Sequence, residues 1–517
     1  MTDAAAGPHT IGRWLQDRAA AHGSRIAVDD RGVATDYATL AARARMLADR
    51  LTAAGYGAGQ RVATVSGNSA DQVVAFFACA LLGIAFVPLS WRLTPAELGA
   101  LIERTGPALL LIDEEHAALA AAAIEIAASA PATATLGASG VEAHTPAAHV
   151  AAPARPARDD DPLLIIFTSG SEAAPKGVVL THENCFWNNL ALGQAMPLDD
   201  TDVVLAILPQ YHVAAWNVQP LLAWWRGATV VLERSFDPGR VLHLIAARRV
   251  TTMMGVPTQY RMLQSHPAWA EADLSSLRRI VVGGATIPQD LAVDWAERGV
   301  ELTQGYGLTE AGPNVLHLPA ELVATHPGAV GRPYPGVDVM LADPATGLAL
   351  EGAATGELWV RGASVFTGYL DDPEATVRAM HGDWLRTGDL VQRDAVGIHR
   401  VVDRLKDIFV SGGENVAPAE VEAAILAHPR VIACAVVGVP DPVWGERGAA
   451  FVVADGPLSR DELRAFAAER LAAFKLPARI EFVTELPRSS IEKIARARLR
   501  RMAAELTQEE SHDAARR

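Results

Sequence analysis

Of the 45 basic residues in this 517-residue chain only Lys176, Lys406, Lys475 and Lys493 are lysine, and the other 41 are arginine. A chain that uses arginine wherever a generic cation serves keeps lysine where a compact charge on a flexible stem does what a planar guanidinium does not. The four positions are candidates for chemistry, weighed against chance survival in a lysine-poor composition. One of them closes the loop Thr168-Ser169-Gly170-Ser171-Glu172-Ala173-Ala174-Pro175-Lys176-Gly177, between the apolar run PLLIIF and a helix expected near THENCFW. Exposed backbone N–H groups of small residues, with one lysine at a strand-to-helix junction, suit a phosphate. The loop is not a P-loop, which ends Gly-Lys-Ser/Thr where this one ends Pro175-Lys176-Gly177. Taken singly, Tyr306 is equally compatible with core packing, Glu310 with a solvated surface acid, His212 with a satisfied structural histidine and Asp389 with a turn.

The elements that must position these residues read as α/β. Between Arg25 and Ala118 amphipathic stretches such as ATLAARARMLADRLTAAG alternate with short apolar runs, RVATVSG and AFVPLS. Residues 119–160 are rich in alanine and proline, a weakly structured passage. From Pro162 onward the runs VVLAIL, ATVVLE and RRIVVGG alternate with RVLHLIAARR and DLAVDWAERG, which predicts a mostly parallel sheet covered on both faces. After Gly331 the pattern becomes β-rich, with GELWVRG and VFTGYL. The charged stretch DRLKD at Asp403 then precedes a small α/β unit of about a hundred residues, an ordinary domain size. The expected architecture is a large N-terminal multi-subdomain α/β domain with a β-rich subdomain (1–403), a small mobile C-terminal α/β domain (404–506) and a polar tail (507–517).

Composition narrows the function. Half the residues are hydrophobic and a fifth are charged, so an ordinary globular core is available. The net charge of -15 opposes generic affinity for nucleic acid or anionic membrane, and favours a small-molecule substrate. Cys79, Cys185 and Cys434 show neither paired nor metal-ligand spacing, as expected in a reducing compartment. No apolar run reaches membrane-spanning length and no basic start precedes one, so a cytoplasmic protein is expected, and richness in alanine, arginine, glycine and proline with scarce lysine suggests a GC-rich bacterial coding sequence.

The loop 168–177 resembles the nucleotide loop of the adenylate-forming superfamily, which includes acyl-CoA synthetases, and further segments match in order. Leu208-Pro209-Gln210-Tyr211-His212 resembles the acyl-gate segment, Gly283-Gly284-Ala285 the adenine-contacting turn, and Gln304-Gly305-Tyr306-Gly307-Leu308-Thr309-Glu310 the Tyr-Gly-x-Thr-Glu signature. Gly356-Glu357-Leu358 and Trp384-Leu385-Arg386-Thr387-Gly388-Asp389 match two more segments. Asp403-Arg404-Leu405-Lys406-Asp407 is similar to the hinge, Ser411-Gly412-Gly413-Glu414-Asn415 to the following loop, and Leu486-Pro487-Arg488 with Lys493 to the C-terminal lysine segment. The resemblance implies an enzyme that uses ATP and Mg²⁺ to make an acyl adenylate, then turns the small domain about Lys406 and passes the acyl group to a thiol. It implies that Thr168, Ser169, Gly170, Ser171 and Lys176 face the phosphates, that Tyr306 stacks on adenine with Gly283, Gly284, Ala285, Gln304, Gly305 and Gly307 around it, and that Asp389 and Arg404 meet the ribose. Thr309 would bind phosphate, Glu310 the Mg²⁺, and Lys493 would bridge the substrate carboxylate and α-phosphate. His212 is placed at the gate, Tyr211, Val213 and Trp216 in the acyl pocket, and Ser411, Gly412 and Gly413 at CoA, although Trp216, read from its own surroundings in the sequence, suits a core helix face better than a pocket.

Two positions depart from the pattern. The superfamily's Thr-Thr-Gly is Ser171-Glu172-Ala173 here, and its Gly-Lys is Glu492-Lys493. A carboxylate about 5 Å from one phosphate charge costs roughly 3 kcal/mol at an effective dielectric near 20, on the order of a hundredfold in affinity. The expected function is therefore an acyl-CoA ligase weakened in ATP-dependent adenylation and specialised for the thioesterification half, as in a non-adenylating ligase of a bacterial natural-product pathway fed acyl-AMP by a separate adenylating ligase; the alternatives are a conventional two-step acid–CoA ligase and a nucleotide-binding pseudoenzyme. The gate sequence Val213-Ala214-Ala215-Trp216 lacks a charged partner, so an apolar acid is expected. A homodimer stays open.

Overall fold

Short aliphatic runs bounded by glycine, proline or aspartate form strands, and the amphipathic stretches between them form helices. The computed structural model describes residues 7–515 apart from 129, 138–141, 146–151, 153–154, 169–174, 412–413, 442 and 489–493, and the side chains of those residues except 142–145 and 507–515. The chain divides into two units. The first comprises Met1–Val339, Trp359–Arg386 and Gly397–His399, and the second Met340–Leu358, Thr387–Val396 and Arg400–Arg517. This differs from a single cut at residue 403, because the division falls inside the strands Ala354–Arg361 and Trp384–Arg393.

In the first unit a nine-stranded sheet runs in the order Arg332–Pro333, Leu316–Leu318, Glu301–Tyr306, Arg279–Val282, Thr252–Gly255, Val203–Ala206, Thr229–Leu232, Ile26–Asp30 and Val33–Asp36. From Glu301–Tyr306 to Ile26–Asp30 neighbouring strands are parallel. Leu205, Met253, Ile280 and Leu302 from these strands pack with Tyr260 and Trp295 from the covering helices. The second sheet has eight strands: Gly368–Tyr369, Lys176–Thr181, Pro162–Thr168, Ala85–Leu89, Arg61–Val65, Leu109–Ile112, Ala132–Thr135 and Glu142–Thr145. The run PLLIIF therefore completes this sheet, pairing parallel with Ala85–Leu89 and antiparallel with Lys176–Thr181. An apolar run of that length suits a buried strand in either sheet, and only tertiary pairing chooses. The helix Ala70–Leu82 is apolar all round and accordingly buried, with Phe76 stacked on Trp216 and Phe77 edge-on to Trp224.

The β-rich stretch forms a six-stranded sheet in the order Ala349–Leu350, Asp338–Ala342, Ala354–Arg361, Trp384–Arg393, Met380–His381, with His399–Arg404 also pairing Trp384–Arg393. In the second unit the long hairpin of Val431–Asp441 and Gly445–Ala454 is flanked by Phe409–Ser411 and by the parallel strand Arg479–Phe482. One face packs on Val421, Ile425 and Leu463, the other on Leu499 and Ala503 of the last helix. That helix, Arg496–Ala515, continues through most of the expected polar tail, since residues 507–515 contain neither glycine nor proline to stop it. Among the described residues no helix is long and apolar enough to cross a membrane.

Candidate active site

Two adjacent parallel strands of the first unit carry the core of the site at their carboxyl ends, where open α/β sheets bind ligands. Arg279–Val282 ends in the turn Gly283-Gly284-Ala285, and Gly284 takes the left-handed φ of +77° that glycine tolerates. Glu301–Tyr306 ends in Tyr306, which is half-exposed. Gly307 follows because any Cβ there would sit 1.5 Å from the Pro313 carbonyl oxygen. Gln304, expected at the nucleotide, is 2% exposed and its amide is consumed by the turn. Its Nε2 donates to the carbonyls of Val282 (3.3 Å), Ala285 (3.1 Å) and Gly305 (3.1 Å), and its Oε1 accepts the Ile287 N–H at 2.9 Å. Its amide is thereby engaged in shaping the turn.

Beyond Gly307 the chain turns through Thr309–Ala311, placing half-buried Thr309 and Glu310 together. Glu310 Oε1 accepts the Tyr369 hydroxyl at 2.9 Å, and Lys176 Nζ lies 5.2 Å over the Tyr369 ring. A buried asparagine cluster absent from the sequence-based expectation fixes the segment behind Glu310. Asn217 Nδ2 donates to the Gly312 carbonyl at 2.7 Å, and Asn188 Oδ1 accepts from the Asn314 backbone N–H at 3.1 Å and side-chain amide at 3.0 Å. Asn184 donates to the carbonyls of Ala363 and Val365, and Phe366 N–H donates to the Glu310 carbonyl. Asparagine pairs at this spacing on the helix His182–Ala195 were the available signal. The oxygen donors of Glu310 and Thr309 fit Mg²⁺, which takes one or two carboxylates and leaves its other positions to phosphates and water.

Thr168 and Lys176 face each other across a β-hairpin, Pro162–Thr168 with Lys176–Thr181. The phosphate loop thus joins two strands, and the helix begins only at His182, capped by Thr181 in a capping box with Asn184. The expected strand-to-helix junction is corrected accordingly. Ser169, Gly170, Ser171 and Glu172 lie outside the described residues.

The gate segment is tied down by polar side chains. Gln210 N–H donates to Asn68 Oδ1 at 2.8 Å, and Gln210 Oε1 accepts from Ser69 N–H and Gln72 Nε2. Tyr211 and Val213 are buried, and the half-buried His212 ring lies 4.5 Å from Tyr211. Trp216 does not line a pocket: it is fully buried, stacked 4.5 Å from Phe76, edge-on to Phe86, with Nε1 donating to the Gln210 carbonyl at 2.6 Å. Its indole is core, held between the rings of Phe76 and Phe86. Asp113, Glu115 and His116 stand close enough for a metal, but Arg234 bonds both acids. Burial opposes the Asp113 charge, yet the Gly67 N–H, His116 and Arg234 hold its carboxyl below the usual range.

In the second unit Asp389 is buried and paired with Arg404, Oδ1 to Nε at 2.9 Å. The turn before it is fixed by Gly388 N–H to Glu357 and by Thr387 Oγ1 to the Leu358 carbonyl. Burial, with Arg404 beside it, lowers the pKa of Lys406. Ser411 is buried at a strand end, and Gly412, Gly413, Glu492 and Lys493 lie outside the described residues. Lys475 makes an ion pair with both oxygens of Glu420, at 2.6 and 2.7 Å, a structural post that lysine scarcity alone did not reveal.

A family model described as AMP-binding enzyme matches residues 15–370, and one described as AMP-binding enzyme C-terminal domain matches 420–493. This chain belongs to the AMP-binding enzyme family. The AMP-binding enzyme is 41% identical to a feruloyl-CoA synthase of an Amycolatopsis species over 95% of this chain and 98% of that protein. It is 33% identical to an indoleacetate–CoA ligase of Aromatoleum aromaticum, over 96% and 99%. ATP-bound MatB from Rhodopseudomonas palustris superposes with a TM-score of 0.85 at 30% identity, covering 96% of this chain and 98% of that one. An o-succinylbenzoate CoA synthetase from Bacillus subtilis, in complex with its acyl-adenylate intermediate, superposes at 0.83 with 29% identity over 94% and 97%. The chain is an enzyme, an acid–thiol ligase, with the mixed α/β fold of the adenylate-forming superfamily.

Proposed function

We propose that this AMP-binding enzyme joins an apolar, ring-bearing carboxylic acid to CoA in two steps. An oxygen of the acid attacks the α-phosphorus of ATP and pyrophosphate leaves; the CoA sulfur then attacks the acyl carbon and AMP leaves. The observation that carries this reading is the single strand Glu301–Tyr306 and its turn, which present Tyr306, Thr309 and Glu310 in succession while Gln304 holds the neighbouring Gly283–Ala285 turn. Tyr306 offers adenine a face, the turn offers backbone, and Thr309 offers a hydroxyl to phosphate. Bound at Glu310, Mg²⁺ would offset the charge of the triphosphate. Asp389 and Arg404 serve the ribose hydroxyls, Lys493 the transferring α-phosphate, and Ser411, Gly412 and Gly413 the CoA. Residues 404–506 move about Lys406 between the two steps.

A ring-bearing acid is favoured by two features. The gate carries Tyr211 and Val213 with no carboxylate or fixed cation in 208–216, and two relatives are named for ferulate and indoleacetate. The conventional two-step reading is preferred to the non-adenylating one, which rests on Glu172 and Glu492 alone. The test is CoA-thioester formation from a panel of aromatic and aliphatic acids with Mg·ATP, run beside the matching synthetic acyl adenylates without ATP. Product from both donors supports the two-step ligase. Product from the adenylates alone establishes a thioesterification specialist that depends on a separate adenylating partner, and product from neither removes the proposal.

A further inference from the structure

Glu310 is gripped twice by one short segment. Its backbone carbonyl accepts the Phe366 N–H at 2.8 Å, and its carboxylate accepts the Tyr369 hydroxyl at 2.9 Å. Tyr369 is itself held rigidly. It closes the strand Gly368–Tyr369, which pairs with Lys176–Thr181, and its N–H donates to Thr376 Oγ1 at 2.9 Å. Leu370 N–H donates to the Gly177 carbonyl at 2.7 Å, and the Phe366 ring stands edge-on to Tyr369 at 4.9 Å. Over the ring is Lys176 Nζ, at 5.2 Å from its centroid. The phenol thus joins Lys176, of the loop expected to meet phosphate, to the carboxylate expected to meet the metal.

We propose that Tyr369 is a positioning residue, which aims the Glu310 carboxylate at a divalent cation on the nucleotide phosphates and registers that aim against Lys176. The inference rests on the function proposed above. One hydrogen bond to Oε1 fixes the rotation of the carboxylate and leaves Oε2 and the remaining lone pair of Oε1 open to a hard cation. Mg²⁺ demands near-octahedral geometry, so a carboxylate left to rotate binds it less well, and outer partners of this kind carry a large share of metal affinity. The ammonium over the ring polarises the phenol toward stronger donation, and its flexible stem keeps it within reach of a phosphate oxygen.

The test is Tyr369→Phe in the full-length enzyme, which removes the hydroxyl and keeps the ring beneath Lys176. Calorimetric affinity for ATP is measured with and without Mg²⁺, beside the Mg²⁺ dependence of thioester formation. The expected result is a loss of roughly 10- to 100-fold in the Mg²⁺-dependent part of ATP affinity, with metal-free ATP binding and the KM for the acid unchanged. On a Glu310→Gln background, Tyr369→Phe should add nothing further. Equal loss with and without Mg²⁺, no loss at all, or full additivity with Glu310→Gln would overturn the proposal. A wild type that makes no thioester with Mg·ATP sinks the functional reading instead, whereas an active wild type with a Mg²⁺-insensitive Tyr369→Phe sinks only this inference.

Discussion

Replacing Gln304 with glutamate tests whether a residue whose amide is engaged in a backbone turn sets nucleotide affinity. The amide shares two N–H donors among three carbonyl oxygens at 3.1 to 3.3 Å and receives one N–H in return. Gln304→Glu keeps the acceptor for Ile287 but removes both donors, at about 1 kcal/mol net for each of the two N–H donors, and turns a carboxylate toward the carbonyls. Counting about 1 kcal/mol more for the unfavourable contact, the turn loses about 3 kcal/mol, on the order of a hundredfold if all of it falls on nucleotide binding. A buried carboxyl has a raised pKa, and once protonated it again offers one O–H donor, so the defect shrinks as pH falls. The assay is ATP KM by pyrophosphate release at pH ~6 and ~8, with Gln304→Leu as a variant that no proton rescues. We expect Gln304→Glu to raise ATP KM by at least about tenfold at the higher pH and to recover part of it at the lower, with acid KM little changed. An ATP KM equal to wild type at the higher pH, or equal deficits for both variants at both pH values, would refute the reasoning.

Other expectations follow from particular packing. Trp216→Ala should cost about 3–5 kcal/mol of stability, read as a lowered melting midpoint; a stable variant with a broadened range of acids would restore Trp216 to the pocket. His182 is fully buried, its Nδ1 accepts the Ile11 N–H, and burial brings its pKa down to about 4 from 6.5. The neutral form is the folded one, so this contribution is complete above pH 6.5 and is lost as pH falls toward 4, by up to about 3 kcal/mol. Urea midpoints at neutral and acid pH should show His182→Asn with a shallower pH slope than wild type, and an unchanged slope would count against the assignment. Lys475→Arg should leave activity and stability within about 0.5 kcal/mol, as for an exposed ion pair, and a large loss of activity would return Lys475 to the candidates for chemistry.

Much of the site was legible because it is local. Gly283-Gly284-Ala285, Tyr306, Thr309 and Glu310 lie at the ends of strands that an alternation of apolar runs and helices announces, and glycine at 284 and 307 answers to a backbone angle and a close approach. Scarcity of lysine pointed to Lys176, whose ammonium lies over the Tyr369 ring, and equally to Lys475, which makes an ion pair with Glu420. Composition registers that a residue type is withheld, not the neighbour that explains each exception.

Tertiary structure decided what depends on distant segments. Tyr369 meets Glu310 across 59 positions, and Asn217 meets Gly312 across 95, so no periodicity within one element reveals either contact. The run PLLIIF looks the same whether it opens one sheet or completes another, and its pairing with Ala85–Leu89 settles the matter. Trp216 reads as pocket or core until Phe76 and Phe86 close around it. The sequence by itself determined the family, the α/β class and the strand ends that bear the nucleotide residues, because these follow from local residue type and order. Only the fold decided which groups Gln304, Tyr369 and the asparagines engage, because buried polar groups take their roles from whatever donor or acceptor the fold brings within reach.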